Sequence, residues 1–187
     1  MAYDLIVSES KASQNKTELA KVLQYVSEIN PKVIVEIGVH QGYSMVDWQK
    51  AFNPEIIIGV DNDLHALDLE ATKNMLIVDG DSHSDEVLLR VKKYLRGHPI
   101  DFLYLDGDHT YDGVKKDYQM YSPLVRSGGI IGFDDIKLDS NHWRMNGVDV
   151  ARFWNELIGL PGRKYYEFWD QNQLSGFGSG DGLYFKP

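Results

Sequence analysis

The chain has 187 residues, 28 acidic and 19 basic side chains, a net charge of −9 and no cysteine. This charge opposes broad contact with nucleic-acid phosphates, and the missing thiols exclude disulfides, a cysteine nucleophile and a cysteine-ligated metal. The N-terminus lacks a signal-peptide pattern and no run reaches the ~20 apolar residues of a membrane span, so we expect a cytoplasmic protein that binds neither nucleic acid nor membrane. The length suits one domain, predicted over residues 1–187, with 1–13 as an N-terminal extension.

Strand and helix patterns alternate along most of the chain. Apolar residues at helical spacing from Leu19 to Ile29 predict a helix, and the β-branched run over 32–39 predicts a strand buried on both faces. The alternation continues with strands at 55–60, 74–78, 100–105 and 128–133, and with helices near 43–52, 64–72, 87–95, 114–121 and 148–158. This order indicates an α/β protein whose parallel sheet is covered by helices on both faces.

The C-terminal part departs from that alternation. Two strand patterns, at 164–170 and 180–186, are joined by a segment too irregular for a crossover helix. They are therefore predicted to pair as an antiparallel hairpin. Five parallel strands followed by such a hairpin is not a typical dinucleotide-binding order.

The loop after the first predicted strand carries two glycines, in VEIGVHQGYS (35–44). Gly38 and Gly42 allow a tight turn in which main-chain N–H groups approach a ligand, although their spacing is not G-x-G-x-x-G. Glu36 is an acid inside an apolar strand and requires a partner. Asp61 ends the second strand, where an acid can accept hydrogen bonds from ribose hydroxyls. Each residue alone could serve only a turn, but together they favour a nucleoside site.

The third predicted strand ends in VDGDS (78–82), which again places an acid at a strand terminus. Asp81 and Ser82 are candidate ligand contacts there. The alternative is structural, because Ser82 and Asp85 together could form a capping box for the following helix.

The stretch LDGDHTYD (105–112) crowds Asp106, Asp108, His109 and Asp112 together after the fourth strand. Adjacent carboxylates raise the cost of ionising one another, so a bound cation, a reacting proton or a helix N-terminus must compensate. Asp108 and Asp112 fit the start of the helix that is predicted to follow.

Two further acids, Asp134 and Asp135, follow the fifth strand. Because neighbouring parallel strands lie about 4.8 Å apart with their carboxyl ends at one edge, Asp106 should face this pair. Converging carboxylates suit Mg²⁺, Mn²⁺ or Ca²⁺ better than zinc, and turn chemistry is the alternative for the pair. A neutral His109 beside them could take a proton as a general base.

The other histidines carry no motif. His40 is expected to line the glycine loop, whereas His65, His83, His98 and His142 are expected at the surface or in turns. A facial-triad iron site needs two histidines and a carboxylate at the same strand ends, and only His109 is placed for it. Hydroxylase chemistry is therefore not expected.

The order EIGVHQG, VDND, GDS, LDGDHTYDGVKKDY and GGIIGFDDI resembles the class I S-adenosylmethionine-dependent methyltransferases over nearly the whole chain. Within that class it is most similar to the metal-dependent O-methyltransferases of macrolide and aminocoumarin sugars and to relatives named cephalosporin hydroxylases. The resemblance implies a Rossmann-like three-layer sandwich with a seven-stranded, mostly parallel sheet and an antiparallel C-terminal hairpin. It implies S-adenosyl-L-methionine and Mg²⁺, or another hard divalent cation, as cofactors.

The resemblance also implies roles for individual residues. The methionine part would be surrounded by Glu36, Gly38, Gly42 and Ser44. The ribose would contact Asp61, and the adenine would contact Asp81 and Ser82. The cofactor contacts would be completed by Val39, Tyr43, Asn62 and Asp106. Asp106, Asp134 and Asp135 would hold the metal. His109 would be the catalytic base, acting beside Asp106.

The implied reaction is in-line transfer of the sulfonium methyl group to a hydroxyl of a small molecule or sugar. Trp143, Arg144 and Phe177 border the same sheet edge as candidate acceptor or subunit contacts. The chain is shorter than the sugar enzymes and has no evident lid domain, so either the acceptor is large or a partner subunit closes the site in a homo-oligomer. The alternatives are a nicotinamide-dependent oxidoreductase, which should show a tighter glycine triplet and no metal acids, and a non-catalytic cofactor-binding domain.

Overall fold

The computed structural model describes residues 3–137, 147–169 and 180–187. Its helices are α1 (Asp4–Glu9), α2 (Lys16–Ser27), α3 (Tyr43–Phe52), α4 (Asp85–Leu95), α5 (Tyr111–Tyr121) and α6 (Val150–Ile158). Its strands are β1 (Val33–Ile37), β2 (Ile56–Asp61), β3 (Leu76–Asp79), β4 (Ile100–Leu105), β5 (Val125–Phe133), β6 (Lys164–Phe168) and β7 (Asp181–Phe185). Within the described ranges, no helix has the length and apolar character needed to cross a membrane.

The seven strands form one sheet in the order β3-β2-β1-β4-β5-β7-β6. Strands β1 to β5 run parallel, and β7 pairs antiparallel with both β5 and β6. The predicted mostly parallel sheet with an antiparallel C-terminal pair is therefore confirmed. Strand β7 takes the inner position because nearly all of its residues are buried, whereas β6 starts with exposed residues and forms the edge.

Helices cover both faces of the sheet, each over its own apolar cluster. On one face α4, α5 and α6 contribute Val91, Tyr121 and Trp154 to the core. On the other face α2 and α3 contribute Leu23 and Trp48. Burying a large apolar side chain contributes about 1.5–3 kcal/mol to stability, so these clusters hold the three layers together. The predicted three-layer sandwich is confirmed.

One predicted helix is wrong. The segment 64–72 contains only a short 3-10 turn, Leu64–Ala66, followed by turns. Asp63 caps that turn, and the Asp68 carboxylate accepts a hydrogen bond from the main-chain N–H of Ala71 at 3.0 Å. Short acidic side chains that bond to the local main chain compete with helical hydrogen bonding, and here they end the helix early.

The helix starts near the strand ends use hydroxyl caps. Helix α4 begins after Ser84, whose hydroxyl accepts from the first turn, so the alternative capping box from Ser82 and Asp85 does not form. Helix α5 begins after Thr110, whose hydroxyl accepts from the Gly113 N–H at 3.0 Å. Ser82 is thereby left outside the helix, on the loop that reaches the site.

Candidate functional site

The loops that leave β1 and β4 touch at the carboxyl edge of the sheet. From these two neighbouring strands the order continues outward in opposite directions, and open α/β sheets bind ligands at such a switch point. A Cβ on Gly38 would lie only 2.0 Å from the carbonyl oxygen of Asp106. Gly38 also has a φ of +86°, so both the contact and the backbone conformation require glycine.

A cavity of about 1020 Å³ opens at this edge. Glu36 is the one site residue predicted from the sequence that does not line this cavity. The predicted residues that do line it are Gly38, Val39, Gly42, Tyr43, Ser44, Asp61, Asn62, Asp81, Ser82, Asp106, His109, Asp134 and Asp135. Topology therefore brings together residues that are spread over a hundred positions of sequence.

Glu36 lies beneath the cavity rather than in its wall. Its carboxyl group is fully buried and accepts hydrogen bonds from the Ser44 hydroxyl and from Trp48 Nε1, the latter at 2.6 Å. Burial raises the pKa of Glu36 to about 8, although both hydrogen bonds oppose the shift. In this position Glu36 fixes Ser44 and α3. A contact of Glu36 with the methionine part stays a prediction.

Asp61 shapes the glycine loop from the end of β2. Its Oδ2 accepts the main-chain N–H groups of Val39 at 2.7 Å and His40 at 2.8 Å, and its Oδ1 accepts that of Asp63 at 2.9 Å. A carboxylate offers about four acceptor positions, so about one stays available to a ligand hydroxyl. Asp61 thus has a structural task in addition to the predicted ribose contact.

The predicted acidic cluster forms at the ends of β4 and β5. The register pairs Leu105 with Phe133, so Asp106 and Asp134 leave the sheet side by side. Burial and the like charges of Asp106, Asp181 and Asp135 raise the pKa of Asp134 well above its ordinary value. The cluster therefore favours a proton or a cation over full ionisation.

His109 lies between two of these acids. Its Nε2 is 3.2 Å from Asp106 Oδ1 and its Nδ1 is 2.8 Å from Asp135 Oδ2. The hydrogen bonds to Asp106 and Asp135 raise the pKa of His109 to about 10, against a smaller opposing effect of burial. A raised pKa favours the protonated ring in this arrangement. The neutral imidazole that a general base requires stays a prediction.

The position of the His109 ring also bears on whether the acids of this cluster could hold a metal ion. Among the described residues, no three or more histidine or acidic side chains converge in a way that could hold a metal ion. In this arrangement the His109 ring lies between Asp106 and Asp135, with ring nitrogens 3.2 Å and 2.8 Å from their carboxylate oxygens.

Sequence reasoning missed a buried acid below this cluster. Asp181 is 1% exposed and accepts a hydrogen bond from the buried Tyr104 hydroxyl at 2.7 Å. Burial raises the pKa of Asp181 to about 8. A signal was present, because an antiparallel strand after β5 starts at the edge where β5 ends, and the register pairs Phe133 with Gly182.

The N-terminal segment forms a wall of the cavity that the sequence did not predict. Residues 1–13, expected as an extension, include α1, and Ala12 and Ser13 line the cavity with Gln14, Asn15 and Glu18. Gln14 Nε2 lies 3.3 Å from Asp106 Oδ2. The Ser10 hydroxyl donates to the buried Asp47 at 2.5 Å, which holds the segment against α3. No motif marked these residues, because they join the site only through packing.

The remaining expectations concern the other histidines and the acceptor contacts. His83 lies in a turn, as expected, but its side chain is only 17% exposed and lines the cavity. His40 lines the cavity as expected. The acceptor contacts expected at Trp143, Arg144 and Phe177, and the turn position of His142, lie outside the described residues.

Comparison with protein families gives a match to a methyltransferase domain over residues 35–136. The chain belongs to this methyltransferase family. The matched range begins in β1 and ends just beyond Asp135, so it contains the glycine loop, Asp61 and the whole acidic cluster.

Solved structures of methyltransferases share the fold. The O-methyltransferase TomG of Streptomyces achromogenes, solved with S-adenosylmethionine, aligns with a TM-score of 0.69 at 14% identity, covering 98% of this chain and 91% of TomG. MycE of the mycinamycin biosynthetic pathway, in complex with Mg, S-adenosylhomocysteine and mycinamycin VI, aligns at 0.61 with 17% identity over 99% of this chain and 54% of MycE. The resemblance to class I S-adenosylmethionine-dependent methyltransferases is thus confirmed at the level of fold.

Two curated relatives carry the description uncharacterized protein. One from Sinorhizobium fredii is 23% identical over 153 residues, and one from Acanthamoeba polyphaga mimivirus is 50% identical over 36 residues. These matches cover 72% and 19% of the chain, respectively. The chain spans only 16% of the length of each relative.

The buried acids generate a prediction about stability. Glu36 and Asp181 have ordinary pKa values of 4.5 and 3.8, and both are raised to about 8 in the fold. Between those values the folded state binds more protons than the unfolded chain, so the free energy of unfolding falls as the pH rises from about 5 to about 8. Urea unfolding across this range, in the presence of a chelator, measures the slope.

The variant Glu36→Gln should flatten that dependence, whereas Glu86→Gln, the same change at an exposed position of α4, should leave it unaltered. A stability that rises with pH over this range would contradict the prediction.

Proposed function

We propose that the protein is an S-adenosylmethionine-dependent and divalent-metal-dependent O-methyltransferase that acts on a hydroxyl of a small molecule or sugar. The observation that carries the proposal is one cavity with two chemically different ends in a chain of the methyltransferase family. Asp61 lies at the cofactor end. Asp106, His109, Asp134 and Asp135 form an acidic end where a hydroxyl can be activated.

The cofactor would lie along the edge from β3 to β4. The adenine would contact Asp81 and Ser82, and a ribose hydroxyl would use the remaining acceptor position of Asp61. The methionine part would pass the Gly38 loop, where the absence of a side chain lets the main chain approach closely. This path places the sulfonium near Asp106, at the junction of the two ends.

Methyl transfer needs an acceptor oxygen in line with the carbon–sulfur bond. The oxygen–carbon bond forms as the carbon–sulfur bond breaks, and sulfur keeps the electron pair to give S-adenosylhomocysteine. The acceptor's proton must leave, and a neutral His109 could receive it at Nδ1 once that nitrogen has released its own proton to solvent and left Asp135. Asp106 would orient the ring through Nε2 and keep water from competing for that position.

A hard divalent cation fits the donor chemistry of the acidic end. Asp106, Asp134 and Asp135 would supply oxygen ligands, and a cation would offset the burial and like charges that raise the pKa of Asp134. When bound, the cation would stabilise the developing alkoxide of the acceptor. To hold it, Asp134 would have to be ionised and His109 would have to leave at least one of its two carboxylate contacts.

The structure of MycE contains Mg and mycinamycin VI, which supports a metal-dependent reaction on a small molecule. Residues 1–187 would act as one domain in the cytoplasm, without nucleic-acid or membrane partners, and a homo-oligomer would close the site. The wide glycine spacing gives no support to a nicotinamide cofactor.

Binding of S-adenosylhomocysteine tests the cofactor site. We expect this ligand to raise the melting temperature, because a ligand selective for the folded state stabilises it by mass action. Asp61→Ala should weaken binding at least about tenfold, since it removes a ligand contact and releases the glycine loop. Calorimetry with S-adenosylhomocysteine, and with NAD in parallel, measures both effects.

Asp63→Ala is the matched control, because Asp63 caps the neighbouring turn. Tight binding of NAD, or no binding of S-adenosylhomocysteine, would refute the proposed function.

Metal binding can be tested without any acceptor. Because Asp134 must lose a proton, Mg²⁺ or Mn²⁺ binding should release protons and tighten as the pH rises. Calorimetry in two buffers of different ionisation enthalpy counts these protons. Asp134→Asn should abolish binding, whereas Asp112→Asn, at an exposed acid of α5, should not. Equal metal affinity in the wild type and Asp134→Asn would contradict the proposed site.

The role of His109 can be measured once a screen of hydroxyl compounds has found an accepted substrate. His109→Ala should slow the chemical step about a hundredfold to ten-thousandfold, the usual contribution of a general base. Cofactor affinity should change little.

The two carboxylate partners of His109 raise its pKa. Wild-type activity should therefore rise with pH at values above the pKa of a free imidazole. Unchanged turnover in His109→Ala would show that no base is required from this residue.

A further inference from the structure

Asp117 is a buried carboxylate on α5 that the proposed chemistry does not use. Its side chain is 1% exposed, and Oδ1 has no hydrogen-bond partner among the residues described. The His83 ring lies beside it, with Nε2 3.3 Å from Oδ1. A buried carboxylate needs polar partners, and the His83 ring is the one that faces Oδ1.

His83 connects Asp117 to the wall of the cavity. Its Nε2 also lies 3.1 Å from the Gly113 carbonyl oxygen, which can only accept, so Nε2 must carry a hydrogen directed at α5. On the other side, Nδ1 is 3.9 Å from Asp81 Oδ1, and the main-chain N–H of His83 donates to that same oxygen at 2.8 Å. The ring therefore stands between the buried Asp117 and the cavity-lining Asp81.

Helix α5 also contacts Ser82, which lies between Asp81 and His83 in the chain. The Tyr121 hydroxyl donates to the Ser82 carbonyl oxygen at 2.9 Å, and the Ser82 side chain lowers the pKa of Asp117 as a hydrogen-bond partner. Burial nevertheless raises the pKa of Asp117 to about 6, with Asp108 and Asp81 adding to the increase. Helix α5 thus contacts Ser82 and His83 from behind, and the main-chain N–H of His83 in turn donates to Asp81.

We propose that His83 and Asp117 are a positioning pair that sets Asp81 and Ser82 against the cofactor's base and so gives the enzyme its selectivity for adenine. The proposal rests on the proposed function, which places the adenine at Asp81 and Ser82. Adenine presents a 6-amino donor to a carboxylate, whereas hypoxanthine presents a carbonyl there and a protonated N1. A correctly held loop should therefore reject the hypoxanthine analogue.

The alternative is that the pair only attaches α5 to the loop. In that case its loss would lower the melting temperature but leave the preference between the two bases unchanged. Selectivity, rather than affinity or stability, is the quantity that separates the two roles.

The experiment compares binding of S-adenosylhomocysteine and S-inosylhomocysteine by calorimetry on the full chain. The wild type should prefer the adenine ligand at least about tenfold, the effect of one or two hydrogen bonds. His83→Leu should reduce this ratio to about threefold or less. His83→Gln should keep most of it, because the amide can donate to both Asp117 and Gly113. His98→Gln, at an exposed histidine just before β4, is the control and should match the wild type.

Asp117→Asn is a second variant that conserves the shape of the side chain and should also reduce the ratio. It provides the test if His83→Leu does not fold. A wild-type ratio near one, or an unchanged ratio in the folded His83→Leu and Asp117→Asn variants, would overturn the proposal. If the wild type binds S-adenosylhomocysteine with the expected preference but the variants keep it, only the positioning pair fails. If the wild type does not bind S-adenosylhomocysteine at all, the proposed function fails as well.

Discussion

The close approach of two main-chain loops at the switch point organises the site. A Cβ on Gly38 would overlap the carbonyl group of Asp106, so the glycine lets the ends of β1 and β4 meet. Where they meet, the cofactor end and the acidic end of the cavity become continuous. A larger residue at Gly38 would push Asp106 away from β1 and separate the two halves that the proposed reaction needs.

Charge balance is the second constraint. The site gathers Asp106, Asp134, Asp135 and the buried Asp181, and burial together with mutual repulsion raises the pKa values of Asp134 and Asp181. The His109 ring lies between Asp106 and Asp135 and contacts both. In the proposed reaction, metal binding and proton transfer would both require the ring to leave at least one of these carboxylates.

The layer behind the cavity wall prepares the residues that face the ligand. Glu36 fixes Ser44 from below, Asp61 shapes the glycine loop, and Asp117 supports the loop 81–83 through His83. Glu36 and Asp117 are buried acids, whereas Asp61 is partly exposed and accepts three main-chain hydrogen bonds. Such supports keep the first contacts of a ligand from depending on flexible loops.

The sequence by itself determined the alternation of strands and helices, the antiparallel C-terminal pair and nearly all cavity-lining residues of the strand-end motifs. These follow from local periodicity and from the rule that parallel strands share a carboxyl edge. Only the tertiary structure decided that Glu36 lies beneath the cavity, that His109 is held between two acids, and that Gln14, His83 and Asp181 join the site. Protonation and burial depend on neighbours that are distant in sequence, and no local pattern encodes which of them will come within hydrogen-bonding distance.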